Sequence, residues 1–357
     1  VGESLKQKRL RDYGVTIGKL ETGAYNAITD VKGVTVGHVT ISEDEQQTGV
    51  TAILPHQGNI FREKLIASSH VINGFGKTIG TIQINELGTL ESPIVLTNTL
   101  SIGTAADAVI DYLLEQNEEI GRTTGTINPV VCECNDMILN DIRSKTVTKK
   151  HVLKALETTS ETVEEGSVGA GRGMVCYSLK GGIGTSSRQI QLTHGLYTIG
   201  VLTLTNFGSL PDLTINGQPV GSQLYNSMHS LEEIPDKGSV IVILATDLPV
   251  TERQLNRILK RTVTGLSRTG SIITTGSGEV VIGFSTANKI PHDKTSSCLS
   301  ISAIHEEDID LAFRAAGEAT EEAVLNSLIT ATHVVGRSGN ERPALKNLLE
   351  IYGIQLD

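Results

Sequence analysis

A glycine–serine junction, Gly238-Ser239, sits directly before six apolar residues, 240–245, and is the place where residue types alone could support covalent chemistry. The stretch 232–237 ahead of it is polar and reads as an exposed connection. A peptide bond broken at that junction would leave Ser239 as a new N-terminus, carrying a hydroxyl and an α-amine on one residue. The ordinary pKa of such an amine is about 7.7–8, so near neutral pH a useful fraction is unprotonated. It can then serve as the general base for its own hydroxyl, with no separate triad. Gly-Ser pairs are also common in turns. This chain has six, and Gly270-Ser271 likewise precedes an apolar pair, Ile272-Ile273. The local pattern does not single out Ser239 by itself.

Other polar groups sit where chemistry would need them. Asn206 ends the apolar run that begins at Tyr197, and a side-chain amide at a strand end can donate to a developing oxyanion; an Asn shaping a turn is the plainer account. The loops 169–173 and 181–187 are rich in Gly, but neither has the phosphate-cradling or dinucleotide spacing. Cys132-x-Cys134 has the wrong spacing for a zinc site, and the nine histidines show no metal-ligand pattern. The cysteines read as small buried hydrophobes, and His38 as a histidine within a strand. No Gly-x-Ser-x-Gly elbow is present. The expectation is a reaction that needs no metal and no organic cofactor.

These groups must be carried by a framework, and alternating patterns supply one. Strands are predicted over 31–39, 50–54, 79–84, 94–96, 174–179, 197–205, 240–245, 271–274, 280–285 and 299–303. The segment 274–279 is expected to join two of them as a tight hairpin. Helices are predicted over 105–114, 251–266 and 307–330, with a closing helix after Pro343. Thr251 is placed to cap the second of these. The mixture is neither strictly alternating nor all-β, and it suggests layered sheets with helices outside, in one domain. A length of 357 residues is ample for such a core. A net charge of −10 with no Trp argues against a nucleic-acid surface. No stretch approaches the roughly 20 apolar residues of a membrane span, and residues 1–11 lack a signal-peptide core. The chain starts at Val, which leaves room for a leader removed earlier; the cytoplasm is the expected compartment.

Nine segments, taken in order, resemble one family. They include Asn26-Ala27-Ile28-Thr29-Asp30-Val31, Leu96-Thr97-Asn98-Thr99, and Lys180-Gly181-Gly182-Ile183-Gly184-Thr185-Ser186-Ser187-Arg188. Further along come Asn206-Phe207-Gly208, Gly238-Ser239, Ala245-Thr246-Asp247 and Phe284-Ser285-Thr286-Ala287-Asn288. From about Tyr25 to Arg337 the chain is similar to the self-processing serine N-terminal-nucleophile peptidases of the DmpA L-aminopeptidase/D-amidase and β-aminopeptidase type.

The resemblance implies a four-layer αββα sandwich of the DmpA/ornithine acetyltransferase kind, an α/β fold. It implies one hydrolase domain, 1–357, cut into 1–238 and 239–357, and members that are usually homotetramers of such cleaved pairs. Ser239 matches the residue that attacks the Gly238 carbonyl during maturation and then serves as nucleophile. Ser277 and Glu279 match the pair that orients and tunes it, and Asn206 the oxyanion donor. Met137-Ile138 stands where members carry Gly-Tyr, so Ile138 marks a substrate-site position. Arg172 stands where a small Thr is common. It would either recognise a substrate carboxylate or decorate a loop, and the loop reading is favoured.

The expected activity is hydrolysis of N-terminal residues from short peptides and amino-acid amides through an acyl-enzyme on Ser239. The rivals are acyl transfer to an amine on the same fold, and a non-catalytic small-molecule-binding relative. No nucleic-acid or membrane partner is expected.

Overall fold

The computed structural model describes residues 7–228 and 238–356; the predicted connection 232–237 lies outside the described residues. Two sheets lie face to face between layers of helix. The first has four strands, β1 (Thr35–Glu43), β2 (Gln46–Leu54), β5 (Ile94–Asn98) and β6 (Val130–Cys134), in the order β1-β2-β5-β6. The second has six, in the order β4-β3-β12-β11-β10-β9. Its members are β3 (Glu63–Gly74), β4 (Thr89–Leu90), β9 (Gly182–Leu192), β10 (Gly195–Asn206), β11 (Ser239–Thr246) and β12 (Gly278–Pro291). The helices α2 (Ile102–Gln116) and α3 (Lys149–Glu157) cover the first sheet. The second is covered by α5 (Glu252–Leu259), α6 (Thr262–Arg268) and the long α7 (Asp310–Ile329), with α4 (Val220–Ser227) and α8 (Leu345–Tyr352) beyond. A short α1 (Thr81–Leu87) packs against β3 and β4. Two small hairpins, β7 (Val175–Cys176) with β8 (Leu179–Lys180) and β13 (Val334–Val335) with β14 (Glu341–Arg342), complete the chain.

Strand β11 shows why the fold forms. Ile241, Ile243 and Ala245 pack into the core shared with the first sheet, while Val240, Val242 and Leu244 enter the core under the helices. Both faces are buried, so the strand reads as an unbroken apolar run and not as an alternation. It runs parallel to β12, and a parallel pair needs a long crossover; α5 and α6 provide it. Thr251 opens α5 as predicted: its hydroxyl accepts from the Gln254 N–H at 3.2 Å while the Gln254 side chain accepts from the Thr251 N–H at 3.1 Å. Such reciprocal capping satisfies two otherwise orphaned donors.

Several expectations change. Residues 79–84 are not a strand: only Ile79 bridges to Val131, Gly80 turns the chain at a φ of 100°, and α1 follows. Residues 174–179 fold back as the β7–β8 hairpin, because Tyr177 and Ser178 both take left-handed backbone, at φ 51° and 60°. That is the turn whose twist suits a two-residue hairpin. The ranges 271–274 and 299–303 carry no strand, so 274–279 is a loop that enters β12 and not a hairpin turn. The helix expected over 251–266 is two, α5 and α6. Strands β3, β6 and β9 stand outside the predicted set; the inward positions of β3 and β9 include Ser68, Ser69 and Thr185 to Arg188, whose polarity hides them from a hydrophobic pattern.

Candidate functional site

The site is assembled where β10 ends and β11 and β12 begin. Asn206 pairs with Ser239 across the antiparallel β10–β11 ladder, and Ser239 pairs with Gly278 across the parallel β11–β12 ladder. Three residues far apart in sequence become neighbours, and Ser277 and Glu279 flank Gly278. All of them are buried: Ser239 and Asn206 are each 6% exposed, Ser277 and Glu279 less. The predicted nucleophile, its supporting pair and the amide are therefore brought together.

Gly238 is set by close approach. A Cβ on it would lie 1.8 Å from the Asn206 carbonyl oxygen, so no side chain fits beside the junction. Its φ is not among the left-handed ones, and the freedom it supplies is space and not unusual torsion. The Gly238 carbonyl accepts from the Gly278 N–H at 3.2 Å. The carbonyl that would be attacked during self-cleavage is thus polarised by a backbone donor between Ser277 and Glu279. Gly278 is similarly confined, since a Cβ there would meet the Phe75 carbonyl oxygen at 2.6 Å.

The Ser277 hydroxyl donates to the Glu279 carboxylate. The loop leading to that pair is held by Asn73 near the end of β3, whose amide donates to the Thr274 carbonyl at 3.1 Å, the Thr275 carbonyl at 3.3 Å and the Ser277 carbonyl. Sequence reading missed Asn73, and its strand with it. It also missed Glu133, which sits in β6 between two cysteines read as small buried hydrophobes. Glu133 is 3% exposed, accepts from the Lys77 N–H at 2.9 Å and from the Thr99 hydroxyl, and lies beside Gly76, next to the Phe75 that confines Gly278. A buried carboxyl pinned by two donors thus stands one residue from the backbone that confines Gly278.

Asn206 is fixed at both ends of its amide. Its Oδ1 accepts from the Val175 N–H at 2.9 Å, and its Nδ2 donates to the Asn135 carbonyl at 3.1 Å. An NH2 group has two protons, so one remains for another acceptor. Ile138, half-buried, packs on the small cluster of Leu139, Val175 and Val334, which includes the residue that holds Asn206. Arg172 is placed differently: its Nε donates to Gln47 Oε1 at 2.7 Å and its Nη2 to the Ser42 hydroxyl at 2.8 Å, on β1 and β2. Those bonds favour the loop reading.

Electrostatics around the amide follow from burial. Asp136, fully buried beside Thr48 and Asn140, is pushed up to about 7. Burial also drives Cys132 up to about 12 and Cys134 well above the thiol range, so neither is a thiolate near neutral pH. Cys176 is buried too; Cys298, expected inside, is exposed. His38, within β1 as expected, is lowered to about 4 by burial. Among the described residues no group of three or more His, Cys, Asp or Glu could hold a metal ion, and no helix is long and apolar enough to cross a membrane.

Residues 26–342 match peptidase family S58. The chain is 37% identical over 360 residues to the β-peptidyl aminopeptidase BapA of Sphingosinicella microcystinivorans, covering 94% of this chain and 89% of that protein. Among solved structures it is similar to the PH0078 protein of Pyrococcus horikoshii OT3, at a TM-score of 0.92 and 47% identity, with 97% of this chain and 98% of that one covered. It is similar also to the L-aminopeptidase D-Ala-esterase/amidase of Ochrobactrum anthropi, described as a prototype for the serine aminopeptidases and a variant of the Ntn hydrolase fold. There the TM-score is 0.87 and the identity 37%, over 98% of this chain and 99% of that one.

Proposed function

The chain belongs to peptidase family S58 and is a serine aminopeptidase of the N-terminal-nucleophile fold; from that premise we propose that Ser239 is its nucleophile, freed by cleavage after Gly238. The observation that carries this is the register of the three strands, in which Ser239 lies between Asn206 and Gly278 with the bonded Ser277–Glu279 pair alongside.

In maturation, Ser239 Oγ attacks the Gly238 carbonyl carbon, whose oxygen is already bonded by the Gly278 N–H. The C–N bond breaks, the amine keeps the hydroxyl's proton, and an ester links Gly238 to Ser239. Water hydrolyses that ester to release the carboxyl of Gly238. In turnover, the freed amine takes the Oγ proton as Oγ attacks the substrate amide, and the second N–H of Asn206 meets the oxyanion. The leaving amine takes up the proton, and water hydrolyses the acyl-enzyme. Glu279 orients the amine through its place beside Ser239, and the carboxylates Glu279 and Glu133 suit a substrate with a free ammonium, a short peptide or amino-acid amide. The chain works as one domain in two pieces, 1–238 and 239–357, assembled as a homotetramer of cleaved pairs in the cytoplasm. No cofactor takes part in these steps.

Intact mass under denaturing conditions should show two fragments parted between Gly238 and Ser239. Ser239→Ala should give a single uncut chain whose amidase rate is lower by at least about 10⁴-fold. An uncut S239A protein that still turns over amino-acid amides would sink the assignment. Added amines that divert acyl groups from water would instead favour the transferase reading.

A further inference from the structure

Lys180 opens the Gly-rich motif and is wholly buried, yet among the described residues it forms no ion pair. Its ammonium donates to three backbone carbonyls, Gly171 at 2.8 Å, Met174 at 2.9 Å and Gly181 at 2.7 Å. An ammonium has three N–H donors, and all three are used. Burial pulls Lys180 well below the usual lysine range, and three carbonyl acceptors are what favour the ammonium there.

One of those carbonyls connects to Asn206. The Met174 carbonyl, which also accepts from the Gly181 N–H at 3.0 Å, belongs to the same peptide unit as the Val175 N–H that holds Asn206 Oδ1. The unit is planar with its C=O and N–H pointing in opposite directions. Pinning the oxygen therefore aims the N–H. Donating to the Asn206 amide, that N–H selects one orientation of it, with Oδ1 toward Val175 and Nδ2 toward the Asn135 carbonyl, on the residue that pairs with Ser239 across the ladder. A flipped amide would put N–H against N–H and carbonyl against carbonyl.

We infer that Lys180 is a positioning residue for the hydrolytic reaction, holding the Met174–Val175 peptide so that Asn206 presents N–H and not oxygen to the developing oxyanion. The inference rests on Asn206 being the oxyanion donor. It gives the motif's first residue a role in turnover, although Lys180 itself touches no reacting atom.

The test is a double-mutant cycle on the full chain, with kcat and KM for an amino-acid amide normalised to the molar amount of chain carrying a free Ser239 by mass. Asn206→Ala should lower kcat by about 10²–10³-fold. Lys180→Met should lower kcat by at least about tenfold with KM within about twofold, the pattern of a contact made only in the transition state. Added to Asn206→Ala, it should lower kcat by less than about twofold further, because the two residues act as a unit. Equal fractional losses in both backgrounds overturn the inference and leave Asn206 in place. An N206A enzyme with unaltered kcat overturns the reading beneath it. Lys180→Gln, which keeps two donors, should fall between wild type and Lys180→Met. Failure of both Lys180 variants to fold assigns the residue to the scaffold and overturns the proposal.

Discussion

Lys180 and Arg188 begin and end one stretch of the chain, both fully buried, and only the second is met by carboxylates. Arg188 reaches α7, where its Nη2 donates to Glu322 at 2.6 Å and its Nε to Glu318 at 3.3 Å, with the Ile17 carbonyl at 2.8 Å. Arg11 joins the same cluster by donating to Glu322 at 2.7 Å. Lys180 meets carbonyls alone. A cation paired with carboxylates on another element ties the two elements together, and the carbonyls Arg188 also meets, such as Ile17, lie away from Asn206. A cation solvated by carbonyls fixes the peptides themselves, and one of those peptides orients Asn206. Two buried positive charges eight residues apart thus serve different levels, the packing of helix on sheet and the aim of a single amide.

The largest effect expected of this contrast is on stability at the Arg188 end. Arg188→Met strands part of a buried acidic cluster and should cost about 3–5 kcal/mol, read as a lower urea midpoint. The kcat of the folded fraction should stay within about twofold. A collapse in kcat at an unchanged midpoint would erase the division between the two cations.

The acids beside the two cations sharpen it, because they should titrate with opposite sign. Burial raises Asp136, near Lys180, to about 7, while its unfolded value is about 3.9. The folded chain binds the proton more tightly, so this contribution is full below about pH 4 and is lost as pH rises through about 7. Asp136→Asn should therefore gain Tm over the wild type progressively between pH 4 and 8. Glu322 is the reverse. Burial pushes it up, but the Arg11 hydrogen bond and the Arg188 charge outweigh that and hold it below the carboxylate range. Its contribution is present above the unfolded value and lost as pH falls through the folded one, so Glu322→Gln should lose most Tm at neutral pH and little in acid. Parallel slopes for the two variants would remove the distinction.

The smallest effect is expected at Arg172, a third cation nearby, half-buried and bonded to Gln47 and Ser42. Arg172→Ala should change stability by about 1 kcal/mol and leave kcat and KM within about twofold for amides. A rise in KM confined to substrates bearing a carboxylate would restore it to recognition.

Much of this was legible beforehand, for identifiable reasons. Strand β11 is apolar on both faces and declares itself, and Thr251 with Gln254 marks the start of α5. Ser239 and Asn206 stand at the ends of apolar runs, where strand termini belong. The polar strands β3 and β9 were not legible, because their buried side chains bond to one another and to α7 and α5 instead of showing an apolar pattern. With β3 went Asn73. Glu133 was hidden by the cysteines around it, which burial renders inert.

By itself the sequence determined the reactive types and their order: a glycine before a serine, an amide after an apolar run, a Ser-x-Glu, and enough shared segments to mark the family. The tertiary structure alone decided that Asn206, Ser239 and Gly278 stand abreast, since strand register depends on hydrogen bonds and packing between distant segments that no local window contains. It alone decided which buried cation is met by carboxylates and which by carbonyls alone. Gly238-Ser239 is one junction among six in the sequence; its neighbours across the sheet are what set it apart.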